Sequence, residues 1–262
     1  VVDDTKRAAT ARNHTATHLL HYALRKVLGE HVEQKGSLVA PEKLRFDFSH
    51  FRKISDDEIK GIEDLVNEMI RKDIPSTVVN NIPMDEAIDR GAIALFGEKY
   101  EEEVRLVGFD DSLELCGGTH VESTGQIGIF KIVSESAIAA GIRRIEAVTS
   151  RHALDYINGK LAELDEVSSM LTSSKDIPGS IARLISQVGE LSKRIEKLEA
   201  NASTLIRDEL LKKSVERNGI NIISEQVQLD SVDILKKIGQ MIITSKENTI
   251  LAIGARIGNK AH

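Results

Sequence analysis

The chain has a single cysteine, no tryptophan, few aromatic residues of any kind, and no apolar run that approaches the length of a membrane span. Each shortage excludes something. One cysteine, Cys116, cannot form an internal disulfide, which argues against a disulfide-stapled secreted scaffold and fits a reducing, cytoplasmic setting. Without ~18 consecutive apolar residues no transmembrane helix is expected, and the opening stretch VVDDTKRAATARNH has no apolar signal core. There is no initiator Met, and the chain stops at GNKAH; both ends read as cut from a longer protein. A positive charge excess is also missing. The formal net charge is -6, against the basic balance usual for nucleic-acid-binding domains. Local patches count for more than the net value, and basic residues gather at Lys6, Arg7 and Arg12, at Arg25 and Lys26, at Arg45, Arg52 and Lys53, and at Arg143 and Arg144. Taken singly, each cluster reads as solvated surface.

What is present is an ordinary globular composition in 262 residues, enough chain for one large or two modest hydrophobic cores. Apolar residues Ala8, Leu19, Leu20, Ala23, Leu24, Val27 and Leu28 recur at helical spacing and predict a helix from Thr5 to Leu28, with Gly29 as its stop. Strand-like runs follow at His31–Ala40 and Leu44–Ser49, the second alternating apolar and polar residues. Ser55 and Glu58 form a capping-box pattern that opens a helix to about Lys72. Thr77–Asn80 reads as a strand and Met84–Arg90 as a short helix. Val104–Phe109, Leu113–Cys116, Ile127–Ser134 and Arg143–Val148 are further strand candidates. The expected class is therefore α+β, with a largely antiparallel sheet and packed helices, over residues 1–152.

After Ser150 the pattern changes. Leu154, Ile157, Leu161, Leu164 and Leu171 lie on one helical stripe, a Ser/Asp/Pro/Gly segment at Thr172–Gly179 reads as a loop, and Leu184, Val188, Leu191, Ile195, Leu198, Ala202 and Leu205 form an a/d seam. An antiparallel helical hairpin over 153–216 is expected, with intermolecular pairing of the same seam as the competing possibility. Residues 217–262 read as a partial α/β segment: strand Ile220–Ser224, helix Ser231–Ser245, strand Thr249–Ile253, and an ending at Ile257–His262.

The chemistry concentrates in two short motifs. His14 and His18 form an HxxxH pair, one turn apart on one helix face, so both imidazoles can reach one ion. Cys116 and His120 stand in CGGTH, where two glycines suggest a tight turn that folds thiol and imidazole towards a common point. Three imidazoles and one thiolate are the donor types zinc prefers. The long stretch of chain between the pairs is unlike a zinc finger and means that the fold assembles the site. His21 lies roughly 60° off the His14–His18 face, and His31, His50, His152 and His262 have no partner at ligand spacing. An ion with an exchangeable position, His120 being the displaceable ligand, would activate water; four engaged ligands would make it structural, or would let it bind the substrate amine by changing a ligand. Cys116 as a covalent nucleophile, with His120 as its base, is the rival, but it leaves HxxxH without a role.

The segments NHTATHLLHYALRKVLGEHVEQKGSLV (Asn13–Val39), LRFDFSH (Leu44–His50), CGGTHV (Cys116–Val121) and GIRRIEAVT (Gly141–Thr149) resemble the editing domain of alanyl-tRNA synthetase, and the helical hairpin and partial α/β segment resemble the region C-terminal to that domain in the same family. Free-standing alanyl-tRNA editing proteins are similar. The resemblance implies a Zn2+-dependent aminoacyl-tRNA ester hydrolase that removes Ser or Gly from the 3′ end of tRNA(Ala). It places His14, His18, Cys116 and His120 on the metal, Thr17 and Gln34 near the substrate, and Arg143 and Arg144 towards the tRNA. Thr17 reads equally well as a helix Thr bonding a backbone carbonyl, Gln34 as a solvated strand residue, and the arginines as surface ion pairs. Expected partners are the tRNA(Ala) acceptor end and mischarged Ser-tRNA and Gly-tRNA, with homo-oligomerisation through the helical or C-terminal region. A tRNA-binding or dimerisation module with a structural zinc and a threonyl-type editing domain are the alternatives.

Overall fold

Helix α1 (Asp4–Leu28) is exposed in its first turns and mostly buried from Ala11 to Leu24, where the polar Asn13, Thr15, Thr17, His18 and His21 are buried together with Ala16, Leu19, Leu20, Ala23 and Leu24. Asp3 caps its N-terminus, accepting from the Thr5 and Lys6 N–H groups. Gly29, at φ 117°, ends it in a conformation that a side chain would resist. In the computed structural model, which describes residues 2–94, 101–171, 175–229, 231–257 and 260–261, the chain divides into two compact units, Val1–Asp165 and Glu166–His262.

In the first unit, β1 (Gln34–Val39), β2 (Leu44–Ser49), β6 (Phe130–Ala139) and β7 (Ile142–Thr149) form an antiparallel sheet in the order β1-β2-β7-β6. Helix α2 (Asp56–Arg71) begins at the Ser55–Glu58 capping box, with both of its reciprocal bonds in place. Helices α1 and α2 pack together, and Leu19, Leu20, Phe46, Phe48, Ile62 and Phe130 form the centre of a continuous core. A second antiparallel sheet, β3 (Thr77–Pro83), β4 (Glu103–Phe109) and β5 (Ser112–Leu115), stands beside short helix α3 (Met84–Asp89). Strand β5 lies against α1, which brings the chain that leaves it to the helix. The class is α+β, as the periodicity indicates. One strand start differs: Ile127 closes a one-turn 3-10 helix, Gly128 comes next at φ 78°, and β6 begins only at Phe130.

Helix α4 (Ser150–Met170) crosses the boundary between the units. Helix α5 (Ile177–Lys212) starts within the stretch whose composition reads as a loop. Asp176 caps it through the Gly179 N–H, and Pro178 sits in the first turn, where its missing N–H costs nothing; positions 172–174 of that stretch lie outside the described residues. The apolar stripe of each helix is exposed, Leu161 by 53% and Leu191 by 58%. In the second unit β9 (Ile220–Gln228) and β10 (Thr249–Ile257) run parallel and are joined through α6 (Val232–Ser245), the expected βαβ unit. Two edge strands, β8 (Val215–Arg217) and β11 (Lys260–Ala261), pair antiparallel to it, while positions 258, 259 and 262 of the expected C-terminal segment lie outside the described residues. The C-terminal end of α5 contributes Leu210 to a core with Ile223, Ile238 and Ile242. Among the described residues, no helix is long and apolar enough to cross a membrane.

Candidate metal centre

The middle of α1 is buried together with its polar residues, and buried polar groups need partners. Asn13 donates to the carbonyls of Ala40 and Pro41, at 2.7 and 3.2 Å, and accepts from the Thr149 hydroxyl at 2.7 Å, tying α1 to the sheet at both ends of one side chain. Thr17 donates to the Asn13 carbonyl at 2.8 Å, the helix back-bond that is the bland alternative for this residue. These bonds fix the rotation of α1, and that rotation decides where His14 and His18 point.

They point at the segment leaving β5. Donor atoms of His14, His18, Cys116 and His120 all lie within 4.8 Å of one another. The Cys116 sulfur is 3.4 Å from His14 Nε2 and 3.3 Å from His120 Nε2. A tetrahedral zinc with ordinary bond lengths sets its nitrogen and sulfur ligands about 3.4 to 3.6 Å apart, so the spacing fits. The ring centroids of His14 and His120 are 4.3 Å apart and those of His18 and His120 4.5 Å. Close approach of the loop needs Gly118: a β-carbon there would lie 2.0 Å from His14 Cε1. Gly117, the other glycine of the motif, has open space at the same position.

The nitrogens that face away from the cluster are held as well. Nε2 of His18 lies 3.4 Å from Glu114 Oε2, and His21 Nδ1 donates to Glu114 Oε1 at 2.9 Å. This leaves His18 Nδ1 buried without a hydrogen-bond partner, a lone pair available to an ion. His120 Nδ1 pairs with the Thr15 hydroxyl at 3.1 Å, and that hydroxyl accepts the Val121 N–H at 3.2 Å. His14 bonds the backbone of Thr119. Outer partners of this kind set the tautomer and aim of metal-binding imidazoles. Burial, with the neighbouring imidazoles, lowers His14 to about 4 and His120 to about 2, so both rings are neutral and can ligate at neutral pH. Burial pushes the Glu114 carboxyl up, but His18 and the hydrogen bond from His21 hold it below the usual carboxylate range.

Not every predicted residue joins the cluster. Gln34 lines a separate cavity of about 200 Å3 together with His21 and Arg25. Arg144 makes a two-pronged bond to Asp47 at 2.6 and 2.8 Å, and Arg143 is bonded to Glu135. Glu114, Thr15 and Arg105 were not singled out by the sequence, yet all three support the site. Arg105 donates to the carbonyls of Cys116 and Gly118, at 2.7 and 2.9 Å, and so pins the motif loop. A signal for Glu114 existed: in a strand, residues two apart share a face, and this acid stands two before Cys116 between Leu113 and Leu115.

Fold and cluster together define an α+β domain organised around three imidazoles and one thiol whose donor atoms are close enough to hold a metal ion. Residues 104–146, which include Cys116 and His120, match the family described as the threonyl and alanyl tRNA synthetase second additional domain. The chain is 45% identical over 260 residues to the alanine–tRNA ligase of Bacteroides fragilis, covering 99% of this chain and 30% of that protein. The alanine–tRNA ligase of Cytophaga hutchinsonii is 44% identical over 262 residues and that of Natranaerobius thermophilus 40% over 261, each with 99% of this chain and 30% of the relative covered. The chain belongs to the alanyl-tRNA synthetase family and spans about 30% of the length of these relatives.

Proposed function

We propose that the first unit is a zinc-dependent deacylase that hydrolyses the ester of Ser or Gly wrongly attached to tRNA(Ala), and that His14, His18, Cys116 and His120 hold the metal. The observation that carries this reading is the four-donor cluster with its outer nitrogens held by Glu114, Thr15 and the Thr119 backbone. With His120 exchanged, bound zinc would supply Lewis acidity at the ester and activate water near neutral pH. The protein's own groups do the rest. Cys116 and the rings fix the position of the reacting end, and His120, which lines an open cleft, is the ligand nearest to arriving substrate. Thr17, one residue before His18, would select the amino acid, and Gln34 would contribute only from the separate cavity that it lines. The Thr17 proton is committed to Asn13, so this hydroxyl would act on a substrate as an acceptor. Arg143 and Arg144 would reach RNA only by exchanging Glu135 and Asp47 for phosphate.

The need for such a step comes from size. A pocket shaped for Ala cannot exclude Gly, and it rejects an added hydroxyl by only ~10². A second site that hydrogen-bonds the Ser hydroxyl leaves a polar group unpaired when Ala enters, which supplies the missing selectivity. The test is amino-acid release from Ser-, Gly- and Ala-charged tRNA(Ala) by the zinc-loaded chain. Release of Ser and Gly but not Ala is expected. A zinc-loaded chain that binds tRNA and releases nothing would make the domain a tRNA-binding module with a structural ion.

Glu114→Gln keeps the size of the side chain but removes the charge that His18 and His21 share. Zinc affinity is expected to fall about 10- to 100-fold, measured by competition with a chromophoric chelator. An unchanged affinity would show that the carboxylate does not orient His18.

A further inference from the structure

His120 of the cluster lines a cleft of about 550 Å3 together with the N-terminal half of α1 and residues of the segment from Gly118 to Gln126. Along α1 the lining residues are Asp4, Arg7, Ala8, Ala11 and Arg12. Their three- and four-residue spacing is one continuous helix face, and the next turn of the helix brings His14. Arg105 contributes a third guanidinium from β4, and His120 lines the same cleft. The small side chains of Ala8 and Ala11 leave room between the arginines and the wall.

Among the described residues, Arg7, Arg12 and Arg105 have no ion pair, although Asp4 and Glu122 line the same cleft, whereas Arg143 and Arg144 are each held by a carboxylate. Arg105 is committed to two carbonyls of the motif loop; Arg7 and Arg12 remain for a ligand. Guanidinium groups ranged along one helix face, in a cleft that also takes in a cluster imidazole, match a chain of phosphodiesters with a reactive terminus.

We infer that Arg7 and Arg12 seat the phosphodiester backbone of the single-stranded 3′ end of an RNA and so deliver its terminal ester to the cluster. This assignment rests on the deacylase reading for the ester but not for the strand. It places the backbone contacts on α1 rather than on β7.

The experiment measures binding of two RNA probes, an acceptor-stem hairpin with a single-stranded 3′ end and the same stem cut blunt, as a function of salt. For the Arg7→Ala, Arg12→Ala double variant of the full chain, the Kd for the overhanging probe is expected to rise at least about tenfold. Its log–log salt slope should become shallower by about 1.4, two single-strand contacts at roughly 0.7 each. Binding of the blunt stem and zinc content should not change, and Lys60→Ala, an exposed charge on α2, should alter neither probe. Unchanged affinity and slope for the overhang, an equal loss on the blunt stem, or no binding of the overhang by the parent chain would each overturn the assignment. The two readings separate cleanly. Loss of overhang binding in a chain that releases no amino acid keeps the cleft and removes the deacylase; release with unaltered binding in the variant does the reverse.

Discussion

Gly118→Ala is expected to abolish zinc retention and amino-acid release while leaving the protein folded. The added β-carbon would lie 2.0 Å from His14 Cε1 and 2.4 Å from Nδ1, far inside van der Waals contact. Neither partner can retreat without cost. The His14 ring is fixed between the Cys116 sulfur and the His120 ring, and the loop is pinned by Arg105 at the carbonyls on both sides of Gly117. Relief must therefore come from moving a donor out of tetrahedral range. Displacing a ligand outright costs more than the 10- to 100-fold seen for outer-shell changes, so affinity should fall by more than about 100-fold. Gly117→Ala is the matched control, since a β-carbon there meets nothing within 4 Å, and it should retain metal and activity. Zinc per chain, measured after gel filtration, checks both variants. Equal zinc content in the two would show that the close approach of loop to ring is not what builds the site.

The difference between these glycines shows where sequence reasoning runs out. CGGTH announces a turn but not which glycine is squeezed, because the squeezing atoms come from His14, more than a hundred residues away in the chain. The same holds for the supports. His18 and His21 meet Glu114, and Thr15 meets His120, through pairings that only the packing of β5 on α1 creates. His31 and His50, isolated in sequence, are hydrogen-bonded at 2.9 Å because the ends of β1 and β2 face each other. Local patterns fared better. The capping box at Ser55, the stop at Gly29 and the HxxxH face all depend on residues within a few positions, and each stands in the structure as its pattern predicts. The three-residue strand β8 carries too little alternation to announce itself. The seam of α4 and α5 was legible as a period, whereas the identity of its partner is not a local property.

Cys116→Ala is expected to lower both zinc affinity and Ser release by at least about 100-fold, and His14→Ala should do the same. The pairing of these two variants is what distinguishes a ligand from a nucleophile. The Cys116 sulfur stands within 3.4 Å of two imidazoles and also receives the Gly118 N–H at 3.4 Å, an environment suited to a thiolate. A thiolate beside His120 could attack the ester directly. In that case the parent chain should accumulate a thioester trappable by hydroxylamine, and His14→Ala should leave most of the activity, since His14 would have no part in the attack. As a ligand, Cys116 gives no covalent intermediate, and loss of either donor opens the same coordination shell. The fold should persist in both variants, because the core of Leu19, Leu20, Phe46 and Phe109 is made of buried apolar side chains against which Cys116 is only partly buried. Matched loss of zinc and of Ser release, with no trapped acyl group, is the outcome that the four-donor geometry requires. Activity that survives in a Cys116→Ala chain stripped of zinc would leave the cluster without a catalytic role.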